Sequence, residues 1–264
     1  MKKTAWLLAL LLAVLMIVPT VSMADINNSE RVTKELPADL ENLTINGSNV
    51  DIKLKVVPEG KAPYVEMDAT VFGIHASDVT YKLDVSKSAD ATVIDVEHNG
   101  KDFGINDVNV NVYIPGPLKN LKLVLNDGDM DMKDIYTQIL TGELIDSEID
   151  GDGMEVYNLE MKLADSDLDV RGIVGGVNLT ADDSEIDIRT SVVPDGLKIT
   201  GSDSEVDLRM PKNFMLQYDV KTGFFHTDVI DEYHEHEGKI HFGEGGPEFT
   251  VTLDGGRLDV KEAK

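Results

Sequence analysis

An aspartate followed by Ser or Gly, an acid, an apolar residue and a second aspartate recurs about every nineteen residues in the second half of the chain. Self-similarity at a fixed period is the mark of a solenoid, in which each repeat leans on its neighbours. The copies are Asp127-Gly128-Asp129-Met130-Asp131, Asp146-Ser147-Glu148-Ile149-Asp150, Asp165-Ser166-Asp167-Leu168-Asp169, Asp183-Ser184-Glu185-Ile186-Asp187 and Asp203-Ser204-Glu205-Val206-Asp207. Their centres step by 19, 19, 18 and 20 residues, and Phe225 follows 19 later.

Nine places before each centre stand Leu121, Leu140, Leu159, Val177, Leu197 and Leu216; seven before stand Leu123, Gly142, Met161, Leu179, Ile199 and Tyr218; five before stand Leu125, Leu144, Leu163, Ala181, Gly201 and Val220. Between the first two columns run Lys122, Thr141, Glu160, Asn178, Lys198 and Gln217. This alternation describes a half-buried strand. A small residue at the following bend, Gly128, Ser147, Ser166, Ser184, Ser204 or Gly223, marks a corner with no room for a larger side chain. Each coil then holds two short parallel strands, and coils stack roughly 4.8 Å apart.

Fainter copies lie near each end, at Leu43, Ile45, Ser48, Val50, Asp51 and Ile52, and at Phe249, Val251, Leu253, Gly256, Leu258, Asp259 and Val260. Between Val65 and Ile114 the period lapses, but alternation survives at Val79 to Val85 and Val108 to Val112. These segments read as antiparallel strands that cap the stack and cover its open edge. The expected fold class is all-β: a parallel β-solenoid of about 19 residues per coil with antiparallel capping strands in the N-terminal part.

Lys2 and Lys3 precede an apolar run from Ala5 to Val18, followed by Pro19 and a small-residue site ending Ser22-Met23-Ala24. This is the pattern of a secretory signal peptide cleaved before Asp25, and the run is too short to span a bilayer as a helix. The expected organisation is a signal peptide at 1–24, an N-terminal β region with the first rung and capping strands at 25–117, and solenoid repeats at 118–264 with a His-rich insert at about 230–246. No transmembrane segment is expected after cleavage. The expected location is outside the cytoplasm, in the periplasm, the cell envelope or the medium. With no cysteine, the chain has no disulfide, lipidated cysteine or thiolate metal site.

The formal net charge is −25; losing Lys2 and Lys3 with no acid takes it to −27. Nucleic acid and anionic lipid are poor partners for such a surface. The only tryptophan, Trp6, leaves with the signal peptide, which weighs against an aromatic sugar-binding platform. The acids fall in three columns. Asp129, Glu148, Asp167, Glu185 and Glu205 form one; Asp131, Asp150, Asp169, Asp187 and Asp207 form a second; Asp127, Asp146, Asp165, Asp183 and Asp203 form a third at the bend. Like charges about 4.8 Å apart repel by roughly 0.9 kcal/mol per neighbouring pair in water, whereas each buried Leu, Ile, Val or Met contributes about 1.5–3 kcal/mol. Stability therefore does not demand a cation. Ca²⁺ bridging along Asp131, Asp150, Asp169, Asp187 and Asp207 is the sharper use of the columns, because oxygen-rich, loosely defined sites suit that ion. A solvated face that opposes aggregation is the plainer one. Neither an EF-hand loop nor the calcium-binding Gly-Gly-x-Gly-x-Asp nonapeptide is present.

The segment from Tyr233 to Phe242 carries His234, His236 and His241. A two-residue turn at Glu237-Gly238 would pair His236 with Lys239 and His234 with His241, placing three imidazoles on one face, where Zn²⁺, Cu²⁺ or Ni²⁺ could bind. A polar hairpin face is the simpler alternative. Catalytic pairs are singular, and here the acids repeat at every rung. No nucleophile elbow, zinc-protease helix or phosphate loop occurs.

The run Val110 to Pro115, then Leu118 to Leu125 and Asp127 to Met130, resembles a bacterial cell-envelope family of putative adhesins, a domain of unknown function with solenoid repeats. So do Ser204 to Pro211, Thr222-Gly223, and Gly243 to Pro247 leading into Leu253 to Val260. The similarity spans roughly residues 40 to 262, and it implies an exported envelope β-solenoid with no catalytic residues to transfer. Heavier Asp content in the turns and the His-rich insert depart from the pattern. The leading expectation is a non-enzymatic surface or envelope module whose partner is an unidentified envelope protein or polymer. A divalent-cation or metal-binding envelope protein is the alternative, and a polysaccharide-active enzyme comes third.

Overall fold

The computed structural model describes residues 27–73, 80–99, 104–227, 233–236 and 239–263. The proposed leader at 1–24 and the turn at Glu237-Gly238 lie outside the described residues. In chain order the strands are β1 (Asn27–Glu35), β2 (Asn42–Ser48), β3 (Asp51–Val56), β4 (Tyr64–Gly73), β5 (Thr80–Ser88), β6 (Ala91–Asn99), β7 (Gly104–Ile114) and β8 (Leu118–Asn126). The repeats follow as β9 (Asp129–Lys133), β10 (Tyr136–Ile145), β11 (Glu148–Asp152), β12 (Glu155–Ala164), β13 (Asp167–Arg171), β14 (Ile173–Asp182), β15 (Glu185–Arg189), β16 (Gly196–Ser202) and β17 (Glu205–Met210). The chain ends with β18 (Phe214–Lys221), β19 (Phe224–Thr227), β20 (Tyr233–His236), β21 (Lys239–Phe242), β22 (Glu248–Asp254) and β23 (Arg257–Glu262).

These strands form an 11-stranded and a 12-stranded sheet, both parallel through the repeats. Met130, Ile149, Leu168, Ile186 and Val206 stand in one row of register partners, each almost wholly buried. Leu121, Leu140, Leu159, Val177 and Leu197 form the matching row in the other sheet. The inward side chains of both sheets make a single hydrophobic cluster. The irregular steps of 18 and 20 residues are absorbed where the chain returns from the 11-stranded to the 12-stranded sheet. A register shift sits between Val156 and Asn158, and the segment 190–195 precedes β16. The Asp-Ser corner itself keeps constant length.

Both ends depart from simple sequence order. Phe225 is expected to stack directly on Val206, but Leu258 lies between them, with Val206 paired to Leu258 and Leu258 to Phe225. In the other sheet Phe249 sits between Leu197 and Leu216 in the same way. The C-terminal strands are thus clasped between the fifth repeat and a coil that precedes them in the chain. The N-terminal end has the same logic: β2 lies between β6 and β8, and β3 between β7 and β9. At each end the chain throws a long excursion outward and tucks a terminal rung inside. Interior placement lets the terminal rung bury both flanks, which no exposed end could do.

Capping strands lie where expected, with an added detail. β5 is antiparallel to β6, whereas β7 is parallel to β3 on one side and antiparallel to β4 on the other; β4 in turn is antiparallel to β1. The opposite end of the 12-stranded sheet is closed by antiparallel β21 and β20, beside which Phe214, Phe242 and Phe249 stack with centroids 4.6 and 4.9 Å apart. Their rings replace the aliphatic core of the repeats at that end.

Candidate functional site

The repeat places three acids per coil in three unlike settings. At the corner, Asp127, Asp146, Asp165, Asp183 and Asp203 adopt φ between 47° and 55°, the left-handed region that Asp tolerates better than most residues. Asn49 (φ 55°) holds the equivalent place in the first rung, and Gly255 (φ 94°) in the last. The corner amides continue the ladder: Asp146 N–H donates to Ala164 O at 3.1 Å, and Asp165 N–H to Asp182 O at 3.0 Å. This column of acids is therefore selected by backbone shape.

Inside the corner runs a ladder of buried serines. Each hydroxyl donates to the carbonyl two residues earlier, at 2.7 Å for Ser147, Ser166, Ser184 and Ser204. The same oxygens accept the backbone N–H one coil before: Gly128 into Ser147 at 3.3 Å, then Ser147 into Ser166, Ser166 into Ser184 and Ser184 into Ser204, each at 3.2 Å. Every hydroxyl thus satisfies two backbone groups that burial would otherwise strand. Beyond Ser204 the ladder gives way to Gly256 (φ 83°), whose added Cβ would lie 2.0 Å from Ser204 O.

The outer face of the 11-stranded sheet carries the other two columns. Asp129, Glu148, Asp167, Glu185 and Glu205 are in register, ending on Arg257. Partial burial, and then the carboxylates of Asp129, Asp167, Asp150 and Asp169, push the Glu148 carboxyl above its ordinary range. The second column runs Lys53, Asp131, Asp150, Asp169, Asp187, Asp207, Asp259 and His226.

On β13, β15, β17 and β23 that second column has a cationic companion two positions along the strand, Arg171, Arg189, Arg209 and Lys261, themselves in register. Arg189 bonds Asp187 through Nε and Nη2. Arg209 holds Asp207 through Nη2 at 3.0 Å, and Lys261 reaches the same carboxylate at 2.6 Å. Arg171 lies 3.4 Å from Asp169 and 3.5 Å from Asp152. Arg257 pairs with Asp259, whose side chain is only 6% exposed. Burial raises the Asp207 carboxyl, but hydrogen bonds and charge from Arg209 and Lys261 outweigh it and hold the group below its ordinary range. The guanidinium of Arg209, bonded to Asp207, is pushed up in turn. Three of the five carboxylates considered for calcium thus face cations of the chain itself, while Asp131 and Asp150 stand in register with Lys53 and with each other. Reading the column by its acids alone hides this; the pattern Asp-x-Arg, with both residues on one strand face, is the sequence signal for it.

In the His-rich insert the register is as expected, His234 with His241 and His236 with Lys239. His241 is half-buried beside buried Ile240 and Phe242. Among the described residues no group of three or more His, Cys, Asp or Glu is arranged to hold a metal ion. Nor does any helix among them have the length and apolarity to cross a membrane.

A family model, Toastrack DUF4097, matches residues 16–255. The chain belongs to this family. No curated protein matches it. Among solved structures, this member of the Toastrack family is similar to a "putative cell adhesion protein" from Clostridium sporogenes, with 14% identity, 89% of this chain and 100% of that chain covered and a TM-score of 0.38. A "putative adhesin" from Parabacteroides distasonis has 12% identity, covers 88% and 97% and scores 0.39. A "putative lipid binding protein" from the same species has 13% identity, covers 89% and 97% and scores 0.42.

Proposed function

We propose that the protein is an exported, acidic, non-enzymatic interaction module of the bacterial surface or envelope. The observation that supports this most is the repetition of the outer face: the rungs from β11 to β17 present two columns of acids in register, giving a ruled surface suited to an extended partner. A reaction needs one place unlike its surroundings, and the acids differ along the stack only by degrees. The name borne by structural relatives, adhesin, agrees with the reading. Fractionation of the native cell, followed by recovery of partners from envelope fractions, tests it. Enrichment in the envelope with a reproducible partner supports the module; a cytoplasmic location, or glycan cleavage that persists through purification, overturns it.

A second reading, divalent-cation binding, is favoured by the raised Glu148 carboxyl among Asp129, Asp167 and Asp150. On that reading the thermal midpoint rises in millimolar CaCl₂ well beyond an ionic-strength-matched NaCl control. Equal shifts remove it. For His234, His236 and His241, Zn²⁺ titration of wild type against the triple alanine variant makes the corresponding test, and identical binding removes the site.

A further inference from the structure

A groove of about 950 Å³ runs along the stack beside the cationic column, with Arg171, Arg189, Arg209 and Lys261 in its wall. Pro211 adds apolar surface, Met154 lies buried beneath it, and Asp152 and Glu262 also border it. We propose that this groove binds a linear acidic polysaccharide, a chain of uronate-type sugars whose carboxylates meet successive cations. The inference rests on the reading of the protein as an envelope interaction module and names the chemistry of its partner.

Three features carry it. First, the cations repeat across four consecutive neighbouring strands, β13, β15, β17 and β23, so their backbone spacing is one rung, roughly 4.8 Å. Such a ruler matches a polymer bearing charge at regular intervals better than any compact anion. Second, the heads are held by neighbouring carboxylates. Arg189 and Arg209 meet Asp187 and Asp207 through their Nε and Nη2 edges, which fixes each guanidinium plane. Asp187 and Asp207 do not line the groove. Ordering of the arginines is thus completed before a ligand arrives, which lowers the entropic cost of binding.

Third, the groove mixes charge with the apolar ring of Pro211 and the exposed hydroxyl of Ser191, while the Thr190 hydroxyl is buried and spent on Ile173 O. A sugar ring offers a C–H face and a hydroxyl edge to match, whereas a bare phosphate chain gains nothing from Pro211. The recognition differs from aromatic stacking on neutral glycans. The net charge of −25 disfavours polyanions over the surface as a whole, so a polyanionic ligand depends on the local hydrogen bonds of the cationic column.

The test is equilibrium binding of the full mature chain to polygalacturonate, with dextran and inorganic polyphosphate as comparison polymers. Polygalacturonate should bind and dextran should not. Arg189→Gln/Arg209→Gln should weaken polygalacturonate binding by roughly tenfold or more, through loss of charge-assisted hydrogen bonds. Ser191→Trp should do the same by filling the groove without touching an ion pair, which covers the case of a double variant that folds poorly. Lys162→Gln/Lys198→Gln, an equal loss of charge on the other sheet, should change affinity by no more than about twofold. No binding of polygalacturonate, equal binding by Ser191→Trp, or polyphosphate bound as tightly as polygalacturonate overturns the proposal. Envelope partners recovered equally by wild type and Ser191→Trp would also refute the groove while leaving the module intact. Polygalacturonate binding by a protein that stays in the cytoplasm would do the opposite.

Discussion

The corner and the outer face of this solenoid use the same residue types at the same period, and they use them for opposite ends. At the corner, Asp165 supplies a left-handed backbone angle and Ser166 closes hydrogen bonds to Ser147 N–H and Ala164 O. On the face, Asp167 and Asp169 project outward from the same rung, the second beside Arg171. Repetition at the corner reports what the backbone requires, and repetition on the face reports what the surface presents. A run of five residues in which three are acidic is thus one structural device joined to two surface columns.

Substitutions that separate the two regions rank by how much buried polar chemistry they disturb. Ser166→Ala leaves Ser147 N–H without its acceptor in a buried place and should cost roughly 1–3 kcal/mol in chemical denaturation. A loss below the error of the measurement would mean the hydroxyl ladder contributes nothing to stability. Asp165→Val forces a β-branched residue into the left-handed region and should cost about 1–2 kcal/mol, while Asp165→Asn stays within about 0.5 kcal/mol of wild type. Equal effects would show that charge, and not backbone shape, selects the corner acid.

On the face, Asp207→Asn should cost about 1 kcal/mol at neutral pH. Because the folded Asp207 carboxyl lies below its unfolded value, its contribution is present above the ordinary Asp range and is lost as pH falls through the depressed one. The variant and wild type should therefore converge in stability on acidification. Glu148 has the reverse sign: its folded carboxyl is raised, so its charge opposes folding once pH exceeds the carboxylate range. Glu148→Gln should stabilise by a few tenths of a kcal/mol at pH 7 after solvent screening, and the gain should vanish in acid. A destabilising Glu148→Gln at neutral pH would place Glu148 in a favourable contact that the like-charge column does not contain.

Much of the fold is legible in the chain because the period is local. Met130, Ile149, Leu168, Ile186 and Val206 announce their own alignment, and the hairpin pairing of His234 with His241 follows from spacing. Rung order at the ends is not local. Phe225 sits at the right distance from Val206 to be its neighbour, and only the extra flank that Leu258 and Phe249 bury decides against it. The acid columns are legible as columns, but their neutralisation depends on Arg171, Arg189 and Arg209 two residues beyond Asp169, Asp187 and Asp207, outside the five-residue repeat. What a face binds is less legible still, since repetition fixes spacing without naming a partner.

The stacked register, including the C-terminal strand clasped inside it, supports every column and the groove. Because the chain has no cysteine, paired substitutions report neighbours without interference. Glu205→Cys with Arg257→Cys, on adjacent register partners, should oxidise to an intramolecular cross-link. Glu205→Cys with Phe224→Cys, two rungs apart, should not. Cross-linking of the second pair and not the first would contradict the arrangement.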